Sequence, residues 1–185
     1  MRHALLTSTT YGTWLPGDPR GSVTSVRDLR VTDPITPFRV EHDRPGEPWE
    51  TAIPGLVASA RHRLKCPPVF LSPPAARVVI EQFRETSAIR GWQLEAVSVM
   101  RNHFHAVLGF AGYWDVDRIL VDLKAYASRG LNEQAGGKQK WWTRDGSKRM
   151  LPDDRAVAAA VNYVLHKQPY PLARWSRTEG YLEIP

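Results

Sequence analysis

Apolar positions fall into clear periods along much of this 185-residue chain. Residues 2–14 are dense in Thr, Leu and aromatic side chains and predict a strand that ends near Trp14, before the break at Leu15-Pro16-Gly17-Asp18. From Pro16 to about Pro68 neither a helical nor an alternating period persists, while prolines, turn residues and charges accumulate. That stretch is expected to be a long irregular insertion, with a short helix at 57–64. Helical spacing returns after Ser72, a predicted N-cap followed by Pro73 and Pro74, with Ala76, Val79, Ile80 and Phe83 on one face and Gly91 as the stop. Two β-branched, apolar runs follow at 92–100 and 103–110, joined closely enough to predict antiparallel neighbours. Val116, Ile119, Leu120, Leu123 and Ala127 predict a helix over 115–132, stopped at Ala135-Gly136-Gly137. Residues 140–143 read as a short aromatic strand, 145–147 as a turn and 152–168 as a last helix ended by Pro169. The order is βαββαβ with one helix appended, which fits an α+β, ferredoxin-like sandwich in a single domain, 1–185, carrying the insertion 16–68.

Composition narrows the setting. A hydrophobic fraction of 42% with 10% aromatics suits a folded domain with a substantial core. Lys and Arg number 25 against 19 Asp and Glu, a net charge of +6, which favours a polyanionic partner such as nucleic acid. Cys66 is the one cysteine, so an intramolecular disulfide and a cysteine-based zinc site are both excluded. The apolar run Ala4-Leu5-Leu6 is too short for a signal core or a membrane span. A soluble protein of a reducing cytoplasm, with no membrane partner, is expected.

The chemistry concentrates at two places. On a strand, His103 and His105 project from one face and Phe104 from the other, which brings two imidazoles near enough to share a divalent ion. On the last helix, at about 100° per residue, Val157, Ala160, Val161, Val164 and Leu165 form the core stripe and Tyr163 lies off it. A phenol with an ordinary pKa of about 10 attacks poorly unless a base or cation helps, and a metal that polarises a phosphoryl group supplies that help. Tyr126 is the rival nucleophile, although its place near the edge of an apolar stripe favours packing. Tyr11 and Trp14 are candidates for stacking on unpaired bases, and Arg20, Arg101, Arg129, Arg144, Lys148 and Arg149 for phosphate contacts. A water-using metallohydrolase fits least, since no H-E-x-x-H arrangement is present.

These pieces, in order, resemble one family. They are Thr9-Thr10-Tyr11-Gly12-Thr13-Trp14-Leu15-Pro16-Gly17-Asp18 with Arg20-Gly21, Pro67-Pro68 through Leu71, Gly91-Trp92 to Val99 and Asn102-His103-Phe104-His105. Leu123-Lys124 through Asn132, Trp141-Trp142-Thr143 with Gly146-Ser147, and Ala159-Ala160 through Tyr163-Val164 to Gln168 complete the set. Together they resemble the single-tyrosine HUH transposases of insertion sequences, close to the REP-associated tyrosine transposase branch. The resemblance implies a dimeric enzyme of the prokaryotic cell interior, at the nucleoid when acting, that nicks and rejoins single-stranded or hairpin DNA using Mg²⁺ or Mn²⁺. It assigns the metal to His103 and His105 and the nucleophile to Tyr163, with a 5′-phosphotyrosine and a free 3′-hydroxyl as products. One departure stands out. Where such enzymes carry a third ligand, Gln or Asn, one turn after the tyrosine, this chain has Lys167, which leaves Gln168 or His166 to supply it. That departure supports the alternative of an inactive or host-adopted relative that binds hairpin nucleic acid without cutting.

Overall fold

The computed structural model describes residues 1–20 and 54–184; the part of the expected insertion at 21–53 lies outside the described residues. The chain divides into two compact units, Met1–Thr13 with Pro68–Pro185, and Trp14–Pro67. In the second unit the helix α1 (Pro54–His62) has no buried residue, and the Arg20 guanidinium binds Asp18 while lying 4.5 Å from the Trp14 ring.

The larger unit is built on a six-stranded antiparallel sheet. Its strands are β1 (Arg2–Thr9), β2 (Gln93–Val99), β3 (His103–Phe110), β4 (Ser147–Leu151), β5 (Ala173–Ser176) and β6 (Gly180–Leu182), in the order β4-β1-β3-β2-β5-β6. Three helices cover it: α2 (Pro73–Arg90), α3 (Val116–Ala135) and α4 (Asp154–His166). Their ends are set locally. The Ser72 hydroxyl accepts from the Ala75 amide at the start of α2, and Gly91, at φ 69°, turns the chain out of it. Asp115 and Asp153 cap α3 and α4 in the same way as Ser72 caps α2.

Strand alternation gives the sheet two different faces. Ala4, Leu6, Phe104, Ala106 and Leu108 face α2 and α3, where Phe83 and Phe104 meet edge to face with ring centroids 4.8 Å apart. Ala96, Val107 and Leu151 face the opposite way, under Ala160, Val164 and Leu165 of α4.

Four expectations are corrected. The first strand stops at Thr9, short of Trp14, because Thr10 makes only an isolated bridge to Trp142 and the Tyr11 amide turns to the Trp141 carbonyl. The aromatic run 140–143 is therefore not a sheet strand. The fourth strand begins at Ser147, where a turn was expected, and its burial is low because it is an edge strand whose sequence is SKRML. The last helix is not the final element, since β5 and β6 extend the sheet beyond β2.

Candidate metal centre and tyrosine

The two imidazoles sit where the α4 side of the sheet changes character. Thr9 pairs with His103, Thr7 and Ser98 both pair with His105, and Ser147 pairs with Thr7, so this end of the face is polar. One step along, Leu5, Val107 and Ala96 are apolar and packed against α4. The rings of His103 and His105 meet edge to face with centroids 5.1 Å apart.

Each ring is held at Nδ1. The Asn102 side-chain oxygen lies 2.8 Å from His103 Nδ1, and the Thr7 hydroxyl 2.6 Å from His105 Nδ1. An amide oxygen can only accept, so this bond puts the His103 proton on Nδ1 and the lone pair on Nε2. A hydroxyl can accept or donate, so Thr7 fits His105 with its proton on either nitrogen. A Gln168 oxygen that accepts from this ring takes the Nε2 proton while Thr7 donates to Nδ1, whereas with the proton on Nδ1, as in His103, Nε2 is left for a metal. Burial pushes the His105 pKa down to about 3; the adjacent His103 adds to the fall and a hydrogen bond with Gln168 opposes it. His105 is therefore neutral near pH 7, the form that binds metals.

α4 brings the tyrosine to this face. Tyr163 is 42% exposed, and its ring centroid is 5.5 Å from that of His105. Beyond the helix end, the Gln168 amide nitrogen donates to the Tyr163 carbonyl at 3.3 Å, which leaves its oxygen as the acceptor toward His105. His166 is exposed in the last turn of α4, and Lys167 is the C-cap residue, its amide bound to the Tyr163 carbonyl. Of the two alternatives for a third donor, Gln168 is the one in contact with the pair. Among the described residues no group of three or more His, Cys, Asp or Glu side chains could hold a metal, so a third side-chain donor beside the two imidazoles would have to be of another kind, such as the Gln168 amide. Two imidazoles and an amide oxygen do fit a divalent ion.

The end of α4 is also fixed from the sheet. Arg174 on β5, paired with Ser98, donates to the Leu165 carbonyl at 2.7 Å and to the Glu183 carbonyl. A guanidinium at a helix C-terminus answers both the orphan carbonyls and the helix dipole.

The remaining candidates are dispersed. Tyr126 is half-buried on α3 with Arg129 lying 4.7 Å from its ring, and α3 packs with α2 on the side of the sheet opposite the imidazoles. Tyr11 is buried and covered by Lys140, so it offers little surface for stacking. Lys148 is ion-paired to Asp117, Arg144 is exposed beside a loop whose carbonyls bind Lys124, and Arg149 is exposed on the edge strand beside Leu5. Arg101 lies in the β2–β3 turn, two residues before His103, with its guanidinium 4.7 Å from the Phe70 ring. Trp14 and Arg20 belong to the other unit. Thr7 and Arg174 were missed in the sequence. Nothing local marks either: Thr7 is singled out among the neighbouring hydroxyls of β1 only by its cross-strand register with His105, and Arg174 only by the pairing of β5 with β2.

No family model matches the chain, and no curated protein matches it. Among solved structures it is similar to one described as a REP-associated tyrosine transposase bound to a REP hairpin, with a TM-score of 0.44 and 8% sequence identity. The match covers 88% of this chain and 64% of that one, so the chain spans less than two thirds of the length of that relative. Among the described residues no helix is long and apolar enough to cross a membrane.

Proposed function

We propose that this protein cuts and rejoins single-stranded or hairpin DNA through a phosphotyrosine at Tyr163, with His103, His105 and Gln168 holding a divalent cation. The observation that carries the reading is the pair of tethers at Nδ1, Asn102 on His103 and Thr7 on His105, in two imidazoles that share one sheet face with an exposed tyrosine whose ring is 5.5 Å from His105. The strand order β4-β1-β3-β2, antiparallel throughout, supports reading the larger unit as a ferredoxin-like sandwich extended by β5 and β6.

In the proposed reaction Tyr163 Oη forms a bond to phosphorus as its proton leaves, and the bond from phosphorus to the 3′ oxygen breaks as that oxygen takes up a proton. One strand end is then a 5′-phosphotyrosine and the other a free 3′-hydroxyl. The number of phosphoester bonds is unchanged, so a second 3′-hydroxyl can reverse the step and join strands. A bound cation would polarise the phosphoryl group and stabilise its developing charge. Imidazole donors suit Mn²⁺ better than the harder Mg²⁺, so Mn²⁺ is expected to support the higher rate.

The test is the covalent adduct between protein and a hairpin oligonucleotide with unpaired flanks. Formation with Mn²⁺, loss with chelator and loss in Tyr163→Phe are expected. An undiminished adduct in Tyr163→Phe would overturn the assignment of the nucleophile. Tight, metal-independent binding with no adduct from the unmodified protein would favour the non-cutting alternative.

A further inference from the structure

A second feature lies at the same end of the sheet. Val69 and Leu71 are 5% and 4% exposed, and their amides donate to the Tyr11 carbonyl at 2.9 Å and the Arg101 carbonyl at 2.7 Å. Phe70, between them, is 53% exposed. Two buried anchors and two backbone bonds thus hold a large apolar ring outward, at a position where a polar residue would cost nothing to solvate. The Arg101 guanidinium covers one side of the ring at 4.7 Å. Lys140 adds a second cation nearby, 4.4 Å from the ring of Tyr11, whose carbonyl binds Val69. Arg101 is followed by Asn102, which orients His103. Arg101 and Asn102 therefore sit in the turn that leads into His103, and the segment that carries the ring is bonded to that turn at the Arg101 carbonyl.

We infer that Phe70 and Arg101 form a stacking seat for one unpaired base of a nucleic-acid strand. The ring supplies a π-face that accepts any base, while Arg101 and Lys140 supply charge for the adjoining phosphates. An aromatic held open beside cations suits a nucleobase better than an apolar peptide, which would leave both charges without partners. The net charge of +6 points to the same class of partner. The inference rests on the proposed function only for its second half, that the seated base adjoins the phosphate presented to Tyr163.

The experiment separates the two. Tyr163→Phe protein, in chelator, is titrated with hairpin oligonucleotides that carry a single-stranded extension with 2-aminopurine at successive positions. Quenching of the fluorophore at one position is expected. Phe70→Ala should abolish that quenching and weaken binding of the extended hairpin about tenfold, as expected for loss of one base–aromatic stack. Affinity for the blunt hairpin should not change. Phe70→Trp should retain the quenching, whereas Phe70→Leu, which keeps apolar bulk without a π-face, should lose it and so carries the test if the alanine variant folds poorly. Unchanged quenching in both Phe70→Ala and Phe70→Leu overturns the inference, as does an equal loss of affinity for blunt and extended hairpins, or no binding of any extended oligonucleotide. A stacking signal from a protein that never forms an adduct would leave the seat standing and remove the cutting reaction.

Discussion

In the proposed metal centre the Thr7 hydroxyl on β1, 2.6 Å from His105 Nδ1, would accept from that nitrogen and leave Nε2 to the cation. Thr7→Val keeps the shape of the side chain and deletes the hydroxyl, so Mn²⁺ affinity measured by calorimetry should fall about tenfold, the lower end for loss of an outer-shell partner, while Thr7→Ser should retain it. The same imidazole sets an acid limit on stability. Its folded pKa of about 3 is below the ordinary value of 6.5, so between those values the unfolded chain binds a proton that the folded chain refuses. Stability of the metal-free protein should therefore fall as pH drops through that window, by at most about 1.4 kcal/mol per unit from this residue. Urea midpoints compared at about pH 7 and about pH 4.5 should separate in the unmodified protein and converge in His105→Gln. At this scale the histidines could be read from strand alternation and Tyr163 from its angle on the helix. Thr7 could not, because in the run Leu6-Thr7-Ser8-Thr9 only the cross-strand register tells which hydroxyl faces His105.

Elements were legible where their signals are local. Ser72-Pro73-Pro74 and Gly91 delimit α2 by capping and by a left-handed φ, both properties of a few adjacent residues. The fourth strand was misplaced because Trp141 and Trp142 have the composition of a strand, yet they are buried against α3 and β3 contacts: Trp141 binds Asn132, and Trp142 meets Phe104 with centroids 5.3 Å apart. Ser147–Leu151 pairs with β1 but lies at the sheet edge, where burial no longer selects apolar side chains. β5 and β6 are too short, at 4 and 3 residues, to show a period. The loop entering β4 has little tolerance. A Cβ at Gly146 would lie 2.4 Å from the Thr7 carbonyl oxygen and 2.9 Å from Leu120 Cδ2, so the loop or β1 must move. Gly146→Ala should cost about 1–3 kcal/mol in urea unfolding, the usual range for overpacking, and should also weaken metal binding because Thr7 shifts with the strand. Wild-type metal affinity in that variant would separate the strand from the orientation of His105.

Across the whole molecule, charge and layering set what a partner experiences. If the excess of basic side chains meets phosphates, the logarithm of affinity for single strands should fall linearly with the logarithm of salt, with a slope of about −0.7 per neutralised phosphate. A salt-independent affinity would exclude the electrostatic contribution. The tripeptide His103-Phe104-His105 links the imidazole-bearing face of the sheet to the interior on the other side, because Phe104 packs between Phe83 and Trp142 while its neighbours face the other way. A cation held by those two neighbours would bind the native chain more tightly than the unfolded one, and its occupancy would then be part of the folding equilibrium. At a hundredfold excess over its dissociation constant it adds about 2.7 kcal/mol, or roughly 5–10 °C in Tm for a chain of this size. Melting curves with and without Mn²⁺ can therefore report filling of the centre with no DNA present, and the shift should vanish in His103→Ala.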